Sequence, residues 1–339
     1  MENGEVTNKI NFQKVLKYIF SMLLLCSNLS FTETSNPNKT WYGDPNLQGI
    51  WTNATLTTLE RPKHFKTLEV NEEEARSAAN KASADTFAYD NQYLKGETPK
   101  AGRDVGGYNT AWMDPGEELF QLFGKYRTSI IAYPKNGKVP WDREKANKFF
   151  QQRRKDRSKR RDHPELRGVG ERCVVGFGSS GGPPMMNVLY NNHYQIVQSP
   201  GYVMIMAEMV HDARIIRLDG KHPTESISHW LGDSIGHWDG NTLVVETTNF
   251  NPQHTFRAGL RHFFAITPGA IVTERFTRIS KDQILYRFYV DDPDIYSQVW
   301  AGEMPLRSVE DKIYEYACHE GNYSMANILA GAREEEKRR

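Results

Sequence analysis

Residues 271–290 read IVTERFTRISKDQILYRFYV, two alternating segments separated by a short polar corner at residues 280–282. Side chains of a β-strand point alternately to its two faces, so every second residue of the second segment falls on one face. The residues on that face are Ile284, Tyr286, Phe288 and Val290. The pattern predicts a hairpin with one face turned towards a core.

Short alternating segments of the same kind follow one another from residue 190 to residue 318 without an intervening helix. The Asp-Gly pairs at 219–220 and 239–240 are strong short-range signals for hairpin turns. Consecutive short strands indicate an antiparallel meander, which tends to close because open edges expose unpaired backbone groups. We therefore predict a mainly β (α+β) chain whose residues 190–339 form an antiparallel barrel with a C-terminal helix.

Accessory helices are predicted outside the meander. Asn71 has the side chain of an N-cap, and the three glutamates that follow it complement a helix dipole. A second, strongly basic helix is predicted from residue 141. Asn136-Gly137 predicts the turn of a hairpin, and the Gly/Pro-rich GFGSSGGPPM at 176–185 predicts a flexible connection.

The N-terminus has the pattern of an export signal. Lysines precede the apolar run YIFSMLLLCSNLSF, which is too short for a comfortable membrane span. We predict a signal peptide at 1–31, a flexible connector at 32–44 and a single domain at 45–339, whose first part, up to residue 189, is helical and irregular. A buried amphipathic N-terminal helix is the alternative interpretation.

Export implies a periplasmic or secreted protein, and no later segment approaches the length of a membrane span. Leu25, the residue before Cys26, is larger than a lipidation site favours, so lipid anchoring is not expected. After the signal, Cys173 and Cys318 remain. They either pair in an oxidising compartment, which would stabilise the fold by roughly 3–5 kcal/mol, or stay free and buried.

Composition and motifs exclude several classes of function. A formal net charge of +1 argues against a general binder of polyanions. Arginines and lysines cluster at residues 153–161, but acidic residues are interleaved with them, so a solvated helix face is favoured over nucleic-acid binding. The sequence has no phosphate loop with its lysine, no G-x-S-x-G elbow and no nicotinamide fingerprint. No cofactor is predicted.

Three blocks of this sequence resemble a family of exported bacterial proteins of unknown function. They are YNNHYQIVQSPGYVMIMAEMVHDARIIRLDG, WLGDSIGHWDGNTLVVETTNF and YEYACHEGNYSMANILAGAR. The Gly49–Trp51 sequence GIW, which precedes the meander, is also similar to the Gly-x-Trp opening of lipocalin-like barrels. That second resemblance implies a barrel that holds a ligand.

The best candidate for chemistry is AEMVHDARII, which places a carboxylate, an imidazole and a cation within seven positions. His211 is a candidate general base, and Arg214 a candidate partner for a carboxylate or enolate oxygen. Asp212 shares a strand face with Arg214, and His319 and Glu320 are predicted at the rim opposite His211. The alternative is a surface Asp–Arg pair beside a hydrogen-bonded core histidine.

Several further residues are candidates for contact with a ligand, because aromatic rings can floor a pocket. These candidates are Glu208, Trp230, Trp238, Asn249, Tyr286 and Phe288. Asp233-Ser234 is interpreted as a turn rather than as part of a site. Histidines and carboxylates are available as metal ligands, but no spacing matches a known metal motif, so no metal site is predicted.

Residues 312–318, KIYEYAC, alternate and predict a final strand, after which Gly321 breaks the strand and Asn322 or Ser324 caps a helix that starts near Met325. Three functions remain open. The first is an exported barrel that binds a small, mainly apolar or aromatic molecule. The second is a metal-independent acid/base enzyme, such as an isomerase, dehydratase, cyclase or hydrolase, that uses His211. The third is a structural or interaction protein of the cell envelope.

Overall fold

The computed structural model describes residues 38–91, 113–224 and 227–338. The strands are β1 (Gly49–Thr52), β2 (Glu69–Val70), β3 (Gln121–Leu122), β4 (Lys125–Arg127), β5 (Ile131–Tyr133), β6 (His193–Ser199), β7 (Tyr202–Ala207), β8 (Ala213–Leu218), β9 (Asp233–Asp239), β10 (Thr242–Thr248), β11 (Phe256–Ala258), β12 (Phe263–Ala265), β13 (Ile271–Ser280), β14 (Gln283–Asp291) and β15 (Trp300–Ser308). The helices are α1 (Glu72–Asn91), α2 (Arg143–Ser158) and α3 (Tyr323–Lys337).

Nine strands form a closed mixed barrel in the order β1-β6-β7-β8-β9-β10-β13-β14-β15. The ring closes where Trp51 and Thr52 of β1 pair with Ser308 and Arg307 of β15. All neighbouring strands are antiparallel except β8 and β9, which run parallel. The prediction of a mainly β barrel with accessory helices and a C-terminal helix is confirmed.

Local turn signals account for most of the hairpins. β13 and β14 pair across the corner at residues 280–282, as predicted, and β9 and β10 pair across Asp239-Gly240. The predicted core face of β14, with Ile284 and Phe288, is fully buried. Asp219-Gly220 does not form a hairpin, because the chain leaves β8 there and returns to run parallel to it as β9.

The inward face of the barrel is packed with protein side chains rather than open. Large buried residues such as Tyr194, Tyr286 and Trp300 belong to one hydrophobic cluster. Residues 179–188, here called the inner segment, are all buried. The Tyr194 hydroxyl donates to the Ser180 carbonyl at 2.8 Å, and the Met185 amide donates to the Tyr286 hydroxyl at 2.9 Å. The prediction of a flexible connection here was wrong, because these hydrogen bonds fix the segment against the barrel.

The hairpin predicted around Asn136-Gly137 was also wrong. The turn itself is present, since the Gly137 amide donates to the Pro134 carbonyl at 2.9 Å. However, β5 pairs with β15, where Gly302 lies opposite Ile131, and not with a returning strand. The Asn136-Gly137 pair therefore correctly predicted a turn, but it did not predict which strand pairs with β5.

Residues 312–318 alternate in sequence but do not form the predicted strand. Their backbone amides bind side chains instead of a neighbouring strand. The Tyr314 amide donates to Glu208 Oε1 at 3.0 Å, and the Tyr316 amide donates to His211 Nε2 at 3.2 Å. At the end of this stretch, Cys318 forms a disulfide with Cys173, with a Cα–Cα distance of 5.7 Å.

The described helices begin where the sequence indicated. At α1, Asn71 Oδ1 accepts from the Glu74 amide at 2.9 Å, and Glu74 Oε2 accepts from the Asn71 amide at 3.2 Å, which is a capping box. At α2, Asp142 caps the first turn. At α3, Asn322 occupies the N-cap position, but its side chain does not cap the helix; instead, the side-chain amide nitrogen Nδ2 donates to the Glu171 carbonyl.

The predicted signal peptide, Cys26 and residues 32–37 of the predicted connector lie outside the described residues. Within the described ranges, none of the helices combines the length and the apolar character needed to cross a membrane.

Candidate functional site

A groove of about 490 Å³ lies on the barrel wall where the parallel strands β8 and β9 meet. It is here called the β8 groove. Four of the predicted site residues line it, namely His211, Asp212, Arg214 and Trp230. Other residues that line the groove are Val174, Val175, Ile215, Arg217, His229, Leu231 and Asp233.

The groove follows from how β8 and β9 pair. In the part of the chain that the structure describes, β8 pairs with β9 only through Ile216, Arg217 and Leu218. The first half of β8, from Ala213 to Ile215, therefore has no β9 neighbour at this edge. The chain between the two strands crosses over before β9 begins, because parallel neighbours cannot be joined by a tight turn. The missing pairing leaves a concave space beside the first half of β8.

Strained backbone lies at one edge of the groove. The short 3₁₀ turn Met209–His211 contains Val210 at φ 59°, and His211 follows at φ 55°. Left-handed backbone is unusual for any residue with a side chain and is a clear outlier for a β-branched one. Such strain is retained where the surrounding structure holds it and is concentrated at functional sites. The 3₁₀ turn reverses the chain sharply between β7 and β8 and places His211 and Asp212 at the groove.

Asp212 is a buried carboxylate with few partners. Its Oδ2 accepts a hydrogen bond from the Gly176 amide at 2.6 Å. Burial raises the pKa of Asp212 to about 6, against the smaller lowering effects of the Gly176 amide and of Arg257. A carboxyl that titrates near neutral pH can accept or donate a proton under physiological conditions.

Arg214 is held from the inside of the barrel. Its two terminal nitrogens bind Glu274 at 2.6 and 3.0 Å, and the Tyr286 hydroxyl donates to the same carboxylate at 2.7 Å. The hydrogen bond from the Met185 amide to the Tyr286 hydroxyl ties this network to the inner segment. Both charged groups are buried and paired, so the network fixes the position of Arg214 in the groove wall.

Arg257 is a buried charge that sequence reasoning missed. It lies in β11 with no exposed surface, and none of its guanidinium nitrogens has a hydrogen-bond partner among the described residues. Burial lowers the pKa of Arg257 to about 9, which the negative charge of Asp212 partly offsets. No motif marks this position, since the sequence FRAG around it is unremarkable for a short strand.

Two buried histidines lie close enough to Arg257 for its charge to lower their pKa further. Burial lowers the pKa of His262 to about 4 and that of His254 to about 2, so both rings are neutral. His254 Nδ1 lies 3.2 Å from the Trp230 carbonyl oxygen, which requires the proton on Nδ1. Asp212, Arg257 and these histidines form a buried polar cluster behind the groove.

The far wall of the groove is held by Asp233. Arg217 binds it through both terminal nitrogens at 2.8 and 2.9 Å, and His222 Nδ1 lies 2.7 Å away. These contacts lower the pKa of Asp233, with the Arg217 hydrogen bonds as the largest cause. The interpretation of Asp233-Ser234 as a turn was wrong, because both residues open β9 and are buried.

Glu208 and His211 have partners that define their roles. Glu208 Oε2 lies 2.9 Å from His193 Nδ1, and Oε1 accepts from the Tyr314 amide. Burial would raise the pKa of Glu208, but the hydrogen bonds from His193 and Tyr314 lower it overall. His211 Nε2 accepts from the Tyr316 amide, so the ring carries its proton on Nδ1 and is not a free base at Nε2.

The other predicted site residues lie outside the groove. His319 and Glu320 are exposed in the turn before α3 and do not line it. Tyr286 and Phe288 are fully buried in the core, and Trp238 packs against the same core. Asn249 has a left-handed backbone, and its carbonyl accepts from the His229 amide at 3.0 Å. The structure brings His211, Asp212, Arg214 and Trp230 together in the groove, but not Glu208 or the C-terminal pair.

Across residues 38–91, 113–224 and 227–338, no group of three or more His, Cys, Asp or Glu side chains is placed to hold a metal ion.

Comparisons with known proteins place the chain in no group. No family model matches it, and no curated protein and no solved structure matches it. The function is therefore inferred from the geometry of the groove.

Proposed function

We propose that the protein binds a small, mainly apolar or aromatic molecule in the β8 groove, with a hydrogen-bonding group of that molecule facing Asp212. The observation that carries this proposal is the gap beside the first half of β8, which leaves a concave space on the barrel wall lined by Asp212, Arg214 and Trp230. Sites for small ligands are typically concave spaces of about 300–1,000 Å³, mostly apolar, with a few placed polar groups.

The walls of the groove divide into apolar and polar parts. Trp230, Leu231, Val174 and Val175 supply apolar surface. Asp212 supplies the polar part: its Oδ2 accepts a hydrogen bond from the Gly176 amide, while Oδ1 has no hydrogen-bond partner among the described residues. A ligand with an aromatic body and one N–H or O–H donor satisfies both parts, because the ring packs on Trp230 and the donor reaches Asp212.

We also propose that this protein works outside the cytoplasm, in the periplasm or as a secreted protein. The Cys173–Cys318 disulfide supports this localisation, since structural disulfides persist in oxidising compartments. The charged N-terminal segment followed by a short apolar run supports it independently.

The test uses a fluorescent aromatic amine, N-phenyl-1-naphthylamine, which carries one N–H donor on an apolar body. We expect saturable binding with enhanced fluorescence, and we expect Trp230→Ala to weaken it by about tenfold, the equivalent of about 1.4 kcal/mol of aromatic contact. Trp41→Ala is the matched control, because Trp41 is 81% exposed and does not line the groove. Equal affinity for the Trp230 variant and the wild type would refute binding in this groove.

A second candidate function is acid/base catalysis at the same site. The observation that favours it is the raised pKa of Asp212, a buried carboxyl that is half ionised near pH 6. Because His211 Nε2 is occupied by the Tyr316 amide, the role of base falls to Asp212 rather than to His211. A carbon-13 NMR titration, assigned with Asp212→Asn, should show a carboxyl that titrates near pH 6. A midpoint below pH 4.5 would remove the ground for this candidate.

A further inference from the structure

A second groove, of about 550 Å³, lies between α2, residues 164–172 and the 3₁₀ turn Pro252–His254. It is here called the arginine groove, because five arginines and two acidic residues line it, an excess of three positive charges. These arginines are Arg153, Arg157, Arg160, Arg167 and Arg172, and the acids are Asp156 and Glu165. The chain as a whole carries a formal charge of +1, so this excess is local.

Three of the arginines come from the last turns of α2 and the two residues that follow it. Arg153, Arg157 and Arg160 follow one another at spacings of four and three residues, which places their side chains on the same side of the chain. Like charges at these spacings repel one another. Burial, together with the charges of Arg160 and Arg157, lowers the pKa of Arg153 to about 10.

The repulsion between these three arginines is only partly offset among the described residues, where the charge of Asp156 raises the pKa of Arg153 by less than the neighbouring cations lower it. No carboxylate lies within 4 Å of their guanidinium nitrogens in the ranges that the structure describes, whereas Arg167 pairs with Glu171 at 2.7 Å. Asp156, the acid between them, accepts from Gln152 at 2.8 Å. Three clustered cations without anionic partners form a surface that an anion would stabilise.

The groove also fixes the orientation of its central cation. The Arg153 guanidinium lies 3.6 Å from the centre of the Phe256 ring, a cation–π contact that limits its rotamers. The backbone of residues 164–172 is held by Arg172, whose Nη1 donates to the Glu165 carbonyl at 3.2 Å. The arginines therefore surround a preformed space of the size that a small ligand fills.

We propose that the arginine groove binds a small soluble molecule that carries two or more phosphate groups. Guanidinium forks bind phosphate oxygens through paired hydrogen bonds, and several forks around one space favour a ligand with more than one phosphate. A nucleic acid fits less well, since the face of Phe256 is covered by Arg153 and is not free to stack on bases. This proposal does not depend on the function of the β8 groove.

The experiment titrates the full-length protein with inorganic tripolyphosphate in an isothermal calorimeter. Sulfate, which has only one tetrahedral oxyanion group, is the comparison ligand. We expect saturable binding of tripolyphosphate, at least about tenfold tighter than binding of sulfate, that weakens as salt rises. Arg153→Gln/Arg157→Gln/Arg160→Gln should reduce the affinity at least about tenfold, since it removes several charge-assisted hydrogen bonds.

The matched control is Arg154→Gln/Lys155→Gln/Lys159→Gln, which removes three charges from exposed positions around the same helix. These residues do not line the groove, and we expect this variant to keep wild-type affinity. Equal losses in the two variants would overturn the proposal, because they would indicate a general charge effect. If the groove variant does not fold, as judged by circular dichroism, the exposed Arg157→Gln alone should still weaken binding about threefold or more.

Two further experiments distinguish a small soluble polyphosphate from a membrane surface and from a nucleic acid. Sedimentation with vesicles of phosphatidylglycerol should leave the protein in the supernatant, and a single-stranded oligonucleotide should be displaced by tripolyphosphate at equal phosphate concentration. Binding to vesicles without binding to tripolyphosphate would overturn the proposal in favour of a membrane surface. Oligonucleotide binding that tripolyphosphate fails to displace would overturn it in favour of nucleic acid.

Discussion

Replacement of Asp212 by asparagine tests the electrostatics of the β8 groove directly. The change removes the negative charge but keeps an oxygen that can accept the hydrogen bond of the Gly176 amide. In the folded protein the pKa of Asp212 is about 6, whereas an unfolded aspartate titrates near 3.8. Burial therefore favours the neutral form of the side chain.

The sign of the effect follows from proton binding. Between pH 3.8 and pH 6 the folded protein binds more protons at Asp212 than the unfolded chain does, so the free energy of unfolding falls as pH rises through this window. The difference of 2.2 between the two pKa values corresponds to a total of about 3 kcal/mol, of which about 2 kcal/mol is lost between pH 4.5 and pH 8. Asparagine does not titrate, so the free energy of unfolding of Asp212→Asn should not show this decrease.

The assay is urea unfolding of wild type and variant at pH 4.5 and pH 8. We expect the stability of Asp212→Asn relative to wild type to be about 2 kcal/mol more favourable at pH 8 than at pH 4.5, because all other groups cancel in the comparison. Asp233→Asn is the control: the pKa of Asp233 is lowered, so its effect on stability changes mainly below about pH 3.8, and the relative stability of this variant should be nearly the same at pH 4.5 and pH 8. A relative stability of Asp212→Asn that is the same at both pH values would refute the reasoning.

Two other variants test the buried Arg257 and the disulfide. Arg257→Met should raise the free energy of unfolding by roughly 1–4 kcal/mol in urea denaturation, because it replaces a buried charge without partners by an apolar chain of similar length; a clear loss of stability would show that the guanidinium is satisfied in the folded protein. Cys173→Ser/Cys318→Ser should lower the free energy of unfolding by roughly 3–5 kcal/mol, since the disulfide joins residues 145 positions apart. In that variant, limited proteolysis should cut more rapidly after β15, and dithiothreitol should reproduce the effect in the wild type but leave the variant unchanged.

Features set by neighbouring residues were predicted from the sequence. The Asn71–Glu74 capping box, the turn at Asp239-Gly240 and the buried face of β14 each depend on side chains a few positions apart. Asp212 and Arg214 are likewise separated by one residue, and both line the β8 groove. Short-range patterns carry this information because the atoms that interact are close in the chain.

Features set by distant residues were not predicted. Alternation in residues 312–318 was interpreted as a strand, but alternation does not supply a partner, and the amides bind Glu208 and His211 instead. The Gly/Pro-rich composition of the inner segment resembles that of an exposed loop, although hydrogen bonds to Tyr194 and Tyr286 bury it. Arg257 was missed for the same reason, since its burial depends on packing that no local pattern records.

The seam between β1 and β15 has a consequence for how the chain folds. Trp51 and Ser308 pair across the seam from opposite ends of the described chain, so they close a long loop. Because closing a long loop costs conformational entropy, we expect this pairing to form late in folding. The inner segment contacts the inward-facing tyrosines, so we expect it to dock before the seam closes. Until then the half-curled sheet has two free edges, which makes slow folding intermediates of this protein prone to pair with one another.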